Sequence, residues 1–359
     1  MIGIISFHCQ YNYGSALQAW AMQTALKLLG YENIILNFYY EKDMKTYGIR
    51  WYSRRLSVIG LDLLTAPAMR KRKHAFHAFQ NTFFCQTEQT KEWEKLADLS
   101  RDCGTLICGS DQIWNYAITE GLHPAYFLDF ARPDQRKIAY APSINQTPVA
   151  AQMRPELMKK LESFSAISVR EQDAAQQLSL WMRRPVPAVL DPTLLLYASD
   201  YDSLLEKCPV QFPERYIFVY CLHLNHLPFL RQYAESYAES HHAKIVYCNK
   251  YDLRNAPYAV NIFQYGPETF VSGIKNANYV IADSFHAAAL SIIFQKNFAT
   301  YAPDGSPSRM ASLFSGLGLG DRFITDIHQA LPEIPYDTVN QNLSRLREDS
   351  LDYLKRALE

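Results

Sequence analysis

His286 is the residue of this chain whose type and surroundings point most directly to chemistry. It lies in the segment 278–294, which predicts a buried strand over Tyr279–Ala282, a sharp turn at Asp283–Ser284 and then an apolar helix. An imidazole in the first turn of a helix stands beside unpaired backbone N–H groups and the positive end of the helix dipole. At the carboxyl end of a parallel strand, this arrangement favours binding of an anionic ligand. The alternative is that Ser284 only caps the helix and His286 is a packing residue.

The first predicted strand leads into a polar motif at the start of a helix. The motif runs from Asn12 to Gln18, and Gly14 and Ser15 open the helix. Their N–H groups would hold a phosphate or a sugar hydroxyl. The side-chain amides of Asn12 and Gln18 suit hydrogen bonding to a carbohydrate. The alternative is a helix that is simply well capped.

A second polar motif, at residues 109–115, follows the end of another predicted strand. It carries the carboxylate of Asp111, the indole of Trp114 and the amide of Asn115. This combination is typical of a sugar site, because the polar groups bind hydroxyls and the indole stacks on the sugar ring. Asp111 is also a candidate base for a sugar hydroxyl. The alternative is an Asx-type turn with Trp114 buried in the core.

Two arginines are candidate contacts for an anion. Arg170 ends a predicted strand that faces the expected cleft, and Arg309 precedes a later helix. A guanidinium suits bidentate contact with a carboxylate or a phosphate. The alternative for Arg170 is a surface position beside Glu171 without function. For Asp191, before a proline and a threonine, we expect a structural role at the exit of the first domain.

Residues 44–73 form a locally basic segment with interleaved apolar side chains. Such an amphipathic surface suits contact with anionic lipid or with a lipid-diphosphate acceptor. The alternative is a solvated helical hairpin. Asp62 is the one acidic residue of the segment, against the basic residues Lys45, Arg50, Arg54, Arg55, Arg70, Lys71, Arg72 and Lys73.

Strand and helix signals alternate along the chain and predict an α/β fold. One βαβ series ends near residue 190 and a second starts at Tyr216. Two such series predict two Rossmann-like domains that face each other across a cleft. The predicted units are an N-terminal domain at 1–195, a C-terminal domain at 210–330 and a helical tail at 331–359. The predicted strands are 2–6, 34–38, 105–108, 137–140, 166–169, 188–190, 216–220, 244–247, 260–263 and 279–282. The predicted helices are 14–29, 150–163, 227–240, one that begins at 267, one that follows 284, and 341–358.

Several protein classes are disfavoured by what the sequence lacks. It has no GxGxxG after the first strand and no GxxxxGK[ST], which argues against nicotinamide or flavin enzymes and P-loop proteins. The formal net charge of zero argues against a general nucleic-acid binder. Seven scattered cysteines without a CxxC pair fit reduced thiols, and no apolar run approaches the ~18 residues of a membrane span. We therefore expect a cytoplasmic protein.

Six short motifs follow one another along the chain: Asn12–Gln18, Gly109–Asn115, Ser168–Glu171, Asp191–Leu195, Gly266–Glu268 and Asp283–His286. Together they resemble the polysaccharide pyruvyl transferase family, over residues 1 to about 325. The resemblance implies a glycosyltransferase-B-like architecture. It also implies transfer of pyruvate from phosphoenolpyruvate to a sugar of a capsule, exopolysaccharide or cell-wall glycan as a cyclic ketal, with release of phosphate. No metal or redox cofactor is expected, and phosphoenolpyruvate is the co-substrate.

The resemblance also implies roles for the candidate residues. His286 is similar to the essential histidine of the family and would be the acid or a donor ligand. Arg170, Ser284 and Arg309 would bind the donor on the C-terminal side, and Asp111 would be a base. Some relatives carry an arginine where this chain has Ser284, so one expected anion contact is missing. The acceptor would be bound on the N-terminal side by Asn12, Gly14, Ser15, Gln18, Trp114 and Asn115.

A nucleotide-sugar-dependent glycosyltransferase of the same fold is the alternative function, with Glu268 as the carboxylate that binds a ribose. A non-catalytic glycan-binding protein is a third interpretation. The expected partner is a sugar acceptor, either linked to a lipid diphosphate or to a nucleotide. Peripheral contact through 44–73 would place the protein at the inner face of the membrane.

Overall fold

The parallel strands of this computed structural model form two separate sheets. The structure describes residues 1–40, 56–144, 151–250, 259–303 and 308–359. The first sheet has the order β2-β1-β3-β4-β5 with all neighbours parallel. Its strands are mostly buried and apolar, as expected when helices cover both faces of a parallel sheet. They are Ile2–Ile5 (β1), Asn33–Ile35 (β2), Thr105–Gly109 (β3), Arg136–Tyr140 (β4) and Ala166–Ile167 (β5).

The second sheet has the order β11-β10-β9-β6-β7-β8 and is also parallel throughout. Its central strand β6 pairs with β9 on one side and β7 on the other, so β6 and β9 end side by side. The six strands are Tyr216–Tyr220 (β6), Lys244–Cys248 (β7), Ala259–Asn261 (β8), Tyr279–Ala282 (β9), Phe298–Tyr301 (β10) and Phe323–Ile324 (β11).

Helices connect the strands in the right order for two βαβ domains. In the first part of the chain they are Tyr13–Leu28 (α1), Leu56–Phe83 (α2), Leu96–Leu99 (α3), Tyr116–Thr119 (α4), Arg154–Leu161 (α5), Gln172–Met182 (α6), Pro192–Leu195 (α7) and Asp202–Leu205 (α8). They continue with Leu227–His241 (α9), Pro267–Lys275 (α10), Phe285–Ile293 (α11), Ser308–Leu317 (α12) and Tyr336–Leu358 (α13). Short 3-10 turns occur at Trp93–Lys95, Pro124–Phe127, Ala151–Met153, Ala198–Tyr201, Leu224–His226 and Gly320–Arg322. The predicted fold class, two Rossmann-like domains, is confirmed.

Several element boundaries differ from the prediction. Residues 188–190 are not a strand, because only Ala188 forms an isolated bridge, to Val169. The predicted strand 34–38 stops at Ile35, since Phe38 turns to bridge Thr90. Strands β10 and β11 were not predicted, and β11 has only two residues. The predicted domain limits at 195, 210 and 330 stay a prediction.

The last helix, α13, crosses back to the first domain. Arg347 donates from its Nε to the Leu194 carbonyl at 2.9 Å, and the Ser350 hydroxyl accepts from the Leu190 N–H at 3.0 Å. Near the end of the helix, Arg136 donates to two carbonyls of its final turn. The tail predicted at 331–359 therefore packs on the segment that carries Asp191. None of the helices in the described ranges combines the length and the apolar character that crossing a membrane requires.

Aromatic rings and one buried arginine join the two domains. The ring of Tyr13, at the start of α1, stacks on Phe270 of α10 with centroids 4.4 Å apart. Arg72 of α2 lies with its guanidinium 4.1 Å from the Tyr13 ring centre and donates to the Phe263 carbonyl at 2.7 Å. It also donates to the carbonyl of Tyr11 from Nε and Nη2. We call Tyr13, Arg72, Phe263 and Phe270 the interdomain clamp.

Replacement of Arg72 by methionine is expected to lower the free energy of unfolding by about 3 kcal/mol. The change removes charged hydrogen bonds and leaves buried carbonyls without donors, and it also removes the cation–π contacts. Urea unfolding monitored by circular dichroism measures the effect. The exposed Arg70 on the same helix provides the matched control, and Arg70→Met should change stability by less than about 0.5 kcal/mol. Equal stability of the two variants would contradict the clamp.

Candidate active site between the two domains

The N-termini of helices α1 and α11 meet between the domains. In α1 the Asn12 side chain caps the helix, since its Oδ1 accepts from the N–H groups of Gly14 at 2.9 Å and Ser15 at 3.4 Å. The His286 ring, in the first turn of α11, lies directly against Gly14, and a Cβ at position 14 would overlap the ring. Two positive helix ends therefore face the same space, which favours an anion there.

His286 lies in the first turn of α11, as predicted, and is mostly buried. Ser284 occupies the N-cap position, but its side chain makes no capping hydrogen bond, so capping does not account for this serine. The His286 Nε2 stands 3.6 Å from Asp191 Oδ2, an ion-pair separation that is too long for a hydrogen bond. Within the described residues this buried Nε2 has no hydrogen-bond partner. It is therefore free to bond a bound molecule.

Asp191 is the centre of the site, a role that the sequence did not reveal. Its Oδ2 accepts from the Ser110 hydroxyl and from Arg170 Nη1, each at 2.6 Å. Its Oδ1 caps the short helix α7 by accepting from the Thr193 N–H at 3.0 Å and the Thr193 hydroxyl at 2.7 Å. Burial alone would raise the pKa of this carboxyl, but His286, Arg170 and the Ser110 hydroxyl hold it well below its usual range. The carboxylate is therefore ionised and links the strand ends to α11.

Two guanidinium groups point unpaired donors into this region. Arg170 uses Nη1 for Asp191, while its buried Nε and Nη2 find no partner in the ranges that the structure describes. The same holds for the buried Nε of Arg309 at the start of α12. Burial and then the like charge of Arg170 lower the pKa of Arg309 to about 10, against the opposing effect of Asp111, Glu171 and Asp191. Arg309 is thus cationic at neutral pH, and both arginines have N–H donors available for a ligand.

A cavity of about 620 Å³ lies beside these arginines. Arg170, Arg309, Asp191 and Phe285 line it, together with residues of α6, α12 and α13. The Phe285 ring lies 4.7 Å from the Arg170 guanidinium carbon and so fixes its plane. The lining combines two cations and an apolar wall with the carboxylates of Asp173, Asp191 and Asp349, and the two guanidinium groups can bind a small molecule with two negative groups.

The sequence matches the family model described as polysaccharide pyruvyl transferase over residues 12–305, which is most of the chain. The chain belongs to the polysaccharide pyruvyl transferase family. It is accordingly a transferase of polysaccharide biosynthesis with a sugar acceptor. No curated protein matches the sequence significantly.

Solved structures share the fold of this transferase at low sequence identity. The UDP-GlcNAc 2-epimerase from Methanocaldococcus jannaschii has a TM-score of 0.51 at 10% identity, with 96% of this chain and 91% of that chain covered. S. aureus MnaA in complex with UDP has a TM-score of 0.49 at 11% identity, over 98% and 90% of the two chains. The glycosyltransferase SnogD from Streptomyces nogalater has 0.46 at 12%, over 97% and 94%. At these identities the likeness to the epimerase shows a fold, the glycosyltransferase-B-like one, and no activity.

On the N-terminal side of the transferase, Asp111 and Ser15 form one polar unit. Asp111 Oδ2 accepts from the Ser15 hydroxyl at 2.5 Å, and its Oδ1 accepts from the Gln112 N–H at 2.8 Å. Ser110 and Asp111 both have left-handed backbones, with φ of 37° and 60°. Each such residue costs on the order of 1–3 kcal/mol, and strain of this kind concentrates at functional sites. These backbone conformations let the Ser110 side chain bond Asp191 while the adjacent Asp111 side chain bonds Ser15.

Three residues predicted to bind the acceptor have internal partners. The prediction for Trp114 is wrong, because its indole stacks on Phe127 at 5.1 Å and donates to the Tyr126 carbonyl at 3.1 Å, deep in the core. Gln18 is fully buried, and its Nε2 donates to three oxygens of the chain itself. Asn115 caps α4 through the Ala117 N–H. Asn12, Gly14 and Ser15 remain the members of the predicted acceptor set that lie at the domain interface.

Glu171 is a further buried acid that sequence reasoning treated only as a neighbour of Arg170. Its Oε1 accepts a short hydrogen bond from the Ser143 hydroxyl, and its Oε2 has no partner among the described residues. The surface interpretation of Arg170 and Glu171 is therefore wrong, since both are buried. The only sequence feature that indicated a place in the site was the position of Arg170 and Glu171 after β5, where cleft residues are expected.

The basic segment 44–73 is only partly visible. Residues 44–55 lie outside the described ranges, and residues 56–73 belong to helix α2. Arg72 does not present its charge to a membrane, because it is buried in the interdomain clamp. Arg70, Lys71 and Lys73 are exposed on the same helix.

Substitution of Gly14 by alanine is expected to reduce turnover at least about tenfold. The added methyl group cannot fit beside the His286 ring, so α1 and α11 must separate and displace the imidazole from Asp191. Misplacement of a catalytic group by about 1 Å is sufficient for a loss of this size or more. Steady-state rates with a sugar acceptor measure the effect. The control is Gly104→Ala, where an added Cβ meets nothing within 4 Å, and equal rates for both variants would refute the contact.

Proposed function

We propose that this transferase moves pyruvate from phosphoenolpyruvate to a sugar residue of a surface polysaccharide or its lipid-linked precursor. The product is a cyclic ketal, and phosphate is released. The observation that carries the proposal is that His286 and Arg170 flank the buried carboxylate of Asp191, while Arg309 lines the same cavity as Arg170 and Asp191. Phosphoenolpyruvate has a carboxylate and a phosphate close together, which matches two cations and two helix N-termini.

The first chemical step requires a proton at C3 of the donor. In our proposal protonated His286 gives this proton, the double bond opens, and C2 becomes electrophilic. The Asp191 carboxylate, 3.6 Å from the ring Nε2, would orient the imidazole for this transfer. Arg170 and Arg309 neutralise the carboxylate and phosphate groups of the donor at the same time.

The acceptor supplies two hydroxyl groups to C2. The first hydroxyl attacks C2 and loses its proton, phosphate leaves with its bonding electrons, and the second hydroxyl closes the ring and loses its own proton. Asp111 is the proposed base, because its carboxylate lies at the strand end beside the Ser15 hydroxyl. Asn12, Gly14 and Ser15 would position the sugar. Ser284 would contribute to the donor site through the start of α11.

Thermal stabilisation by phosphoenolpyruvate tests the donor assignment. A ligand that binds the native state raises its melting temperature, so phosphoenolpyruvate should stabilise the wild-type protein. The shift should be lost in Arg170→Ala and retained in Arg70→Ala, the exposed control. Stabilisation by a nucleotide sugar alone would overturn the proposal.

Such a result would favour the alternative, a nucleotide-sugar-dependent glycosyltransferase of the same fold. The observation for it is Glu268, a partly buried carboxylate in the first turn of α10. The pKa of Glu268 is raised, because the effect of burial outweighs that of its hydrogen bonds. Its carboxylate could accept hydrogen bonds from ribose hydroxyls. A stabilisation that Glu268→Gln abolishes would assign the nucleotide to this position.

A lipid-linked acceptor would bring the protein to the inner face of the membrane. The exposed cations Arg70, Lys71 and Lys73 on α2 support such a contact. Co-sedimentation with vesicles of anionic or neutral lipid tests this membrane contact. Equal binding to both kinds of vesicle would contradict a contact made through these cations.

A further inference from the structure

Two histidines and an aspartate converge at the carboxyl edge of the second sheet. Asp283 follows β9, while His223 and His226 follow β6. Strands β6 and β9 are paired neighbours, so the segments after them start side by side. None of the three side chains has a role in the reaction described above.

Their spacing matches a set of metal ligands. Asp283 Oδ2 lies 2.9 Å from His226 Nδ1 and 3.1 Å from His223 Nδ1, and one ligand atom from each residue lies within 4.8 Å of the others. Bonds of about 2.1 Å to a transition metal place adjacent ligand atoms roughly 3.0–3.4 Å apart. A small shift of each side chain would therefore admit an ion between them.

The protein holds the carboxylate of Asp283 in place for such a role. Its Oδ1 accepts from the Leu222 N–H at 2.6 Å, and its Oδ2 accepts from the His223 N–H at 2.9 Å. The side chain is fully buried, whereas the side chain of His223 is 50% exposed. Hydrogen bonds that orient a ligand increase metal affinity. One side of the cluster is protein, and the other is open to solvent for exchange of the ion and for water ligands.

We propose that His223, His226 and Asp283 bind a divalent transition-metal ion such as Zn²⁺ or Co²⁺. Two imidazoles and one carboxylate are ligands that these ions accept. Each histidine would bind through Nδ1 and carry its proton on Nε2. Without an ion, the same Nδ1 atoms donate to the carboxylate, which accounts for their short distances. Cys221 is not included, because its thiol donates to the His223 carbonyl at 3.1 Å.

The bound ion would add a link between two segments that hydrogen bonds already connect. Asp283 lies three residues before His286, so the ion would tie the segment after β6 to the first turn of α11. This site is additional to the proposed chemistry, which requires no metal, and it does not depend on which donor the enzyme uses.

Cobalt binding to the full chain tests the site directly. The purification tag is removed and the protein is treated with chelator, because a histidine tag would bind the same ion. Titration with Co²⁺ alone, followed by visible absorption and calorimetry, should show one ion per chain. The ion should also raise the melting temperature. His223→Ala, which alters a half-exposed side chain, should weaken binding about tenfold or more.

The exposed His74 on α2 provides the control, and His74→Ala should bind cobalt as the wild type does. His226→Gln is the second variant, since it keeps a polar side chain beside Asp283 and should also weaken binding. Absence of stoichiometric binding to the wild type would overturn the proposal. Equal affinity in the wild type, His223→Ala and His226→Gln would overturn it as well.

Discussion

Replacement of His286 by alanine is expected to lower the rate of phosphate release from phosphoenolpyruvate by about 10²–10⁴-fold. This is the usual contribution of a positioned general acid. No other described side chain pairs a buried, unpartnered ring nitrogen with the carboxylate of Asp191. Phosphate release is measured with saturating donor and with a sugar acceptor present.

The matched control for this prediction is again His74→Ala, which removes an exposed imidazole of α2. It should leave the rate unchanged. Circular dichroism must show that His286→Ala is folded, so that a lost rate reports chemistry. A folded His286→Ala variant with the wild-type rate would exclude this residue as the acid.

Replacement of Asp191 by asparagine is expected to lower the free energy of unfolding by about 3–5 kcal/mol at pH 7. Removal of one member of a buried ion pair has this cost because the other charge remains buried without compensation. Here the remaining charge is Arg170, whose side chain is only 2% exposed. Urea unfolding measures the difference, and Asp98→Asn, an exposed aspartate of α3, is the control that should change little.

The difference in free energy of unfolding between the wild type and Asp191→Asn should depend on pH. The pKa of Asp191 is depressed in the folded protein, and about 3.9 is the ordinary value for the unfolded chain. Its ionisation therefore contributes fully to stability above that value, and the contribution is lost as the pH falls through the lower, folded pKa. The gap between wild type and Asp191→Asn should be constant from pH 5 to 8 and shrink below about pH 4. A gap that widens in acid would contradict the ion pair.

The sheets were predictable from local patterns, since parallel strands buried on both faces read as continuous apolar runs. Strand β6, Tyr216–Tyr220, was predicted with its observed limits. Strand β11 was missed because two residues carry no pattern, and only pairing with β10 defines them. The strand predicted at 188–190 is wrong, although its residues are apolar, because they form one bridge instead of a ladder.

The site was harder to predict than the sheets because its partners are distant in sequence. Asp191 was expected to be structural, and it does cap α7. Its second role, as the central carboxylate of the site, depends on Ser110, Arg170 and His286. These three residues follow three different strands. For Trp114 the error is the opposite, because a core residue was predicted to be a ligand contact. The composition of its motif suggested an indole that stacks on a sugar, whereas in the structure Phe127 already covers the ring.

The interdomain clamp has a consequence for the timing of the reaction. Tyr13 and Gly14 are adjacent, so one turn of α1 supplies both the ring that stacks on Phe270 and the surface against which the His286 ring rests. A hinge motion that separated the stacked rings would therefore also move the surface that supports the imidazole. In the proposed mechanism, the acid would then be in place only when the two domains are in contact. Phosphoenolpyruvate that entered an open cleft would meet no positioned acid, and its phosphate would be kept from wasteful transfer to water until the domains had closed.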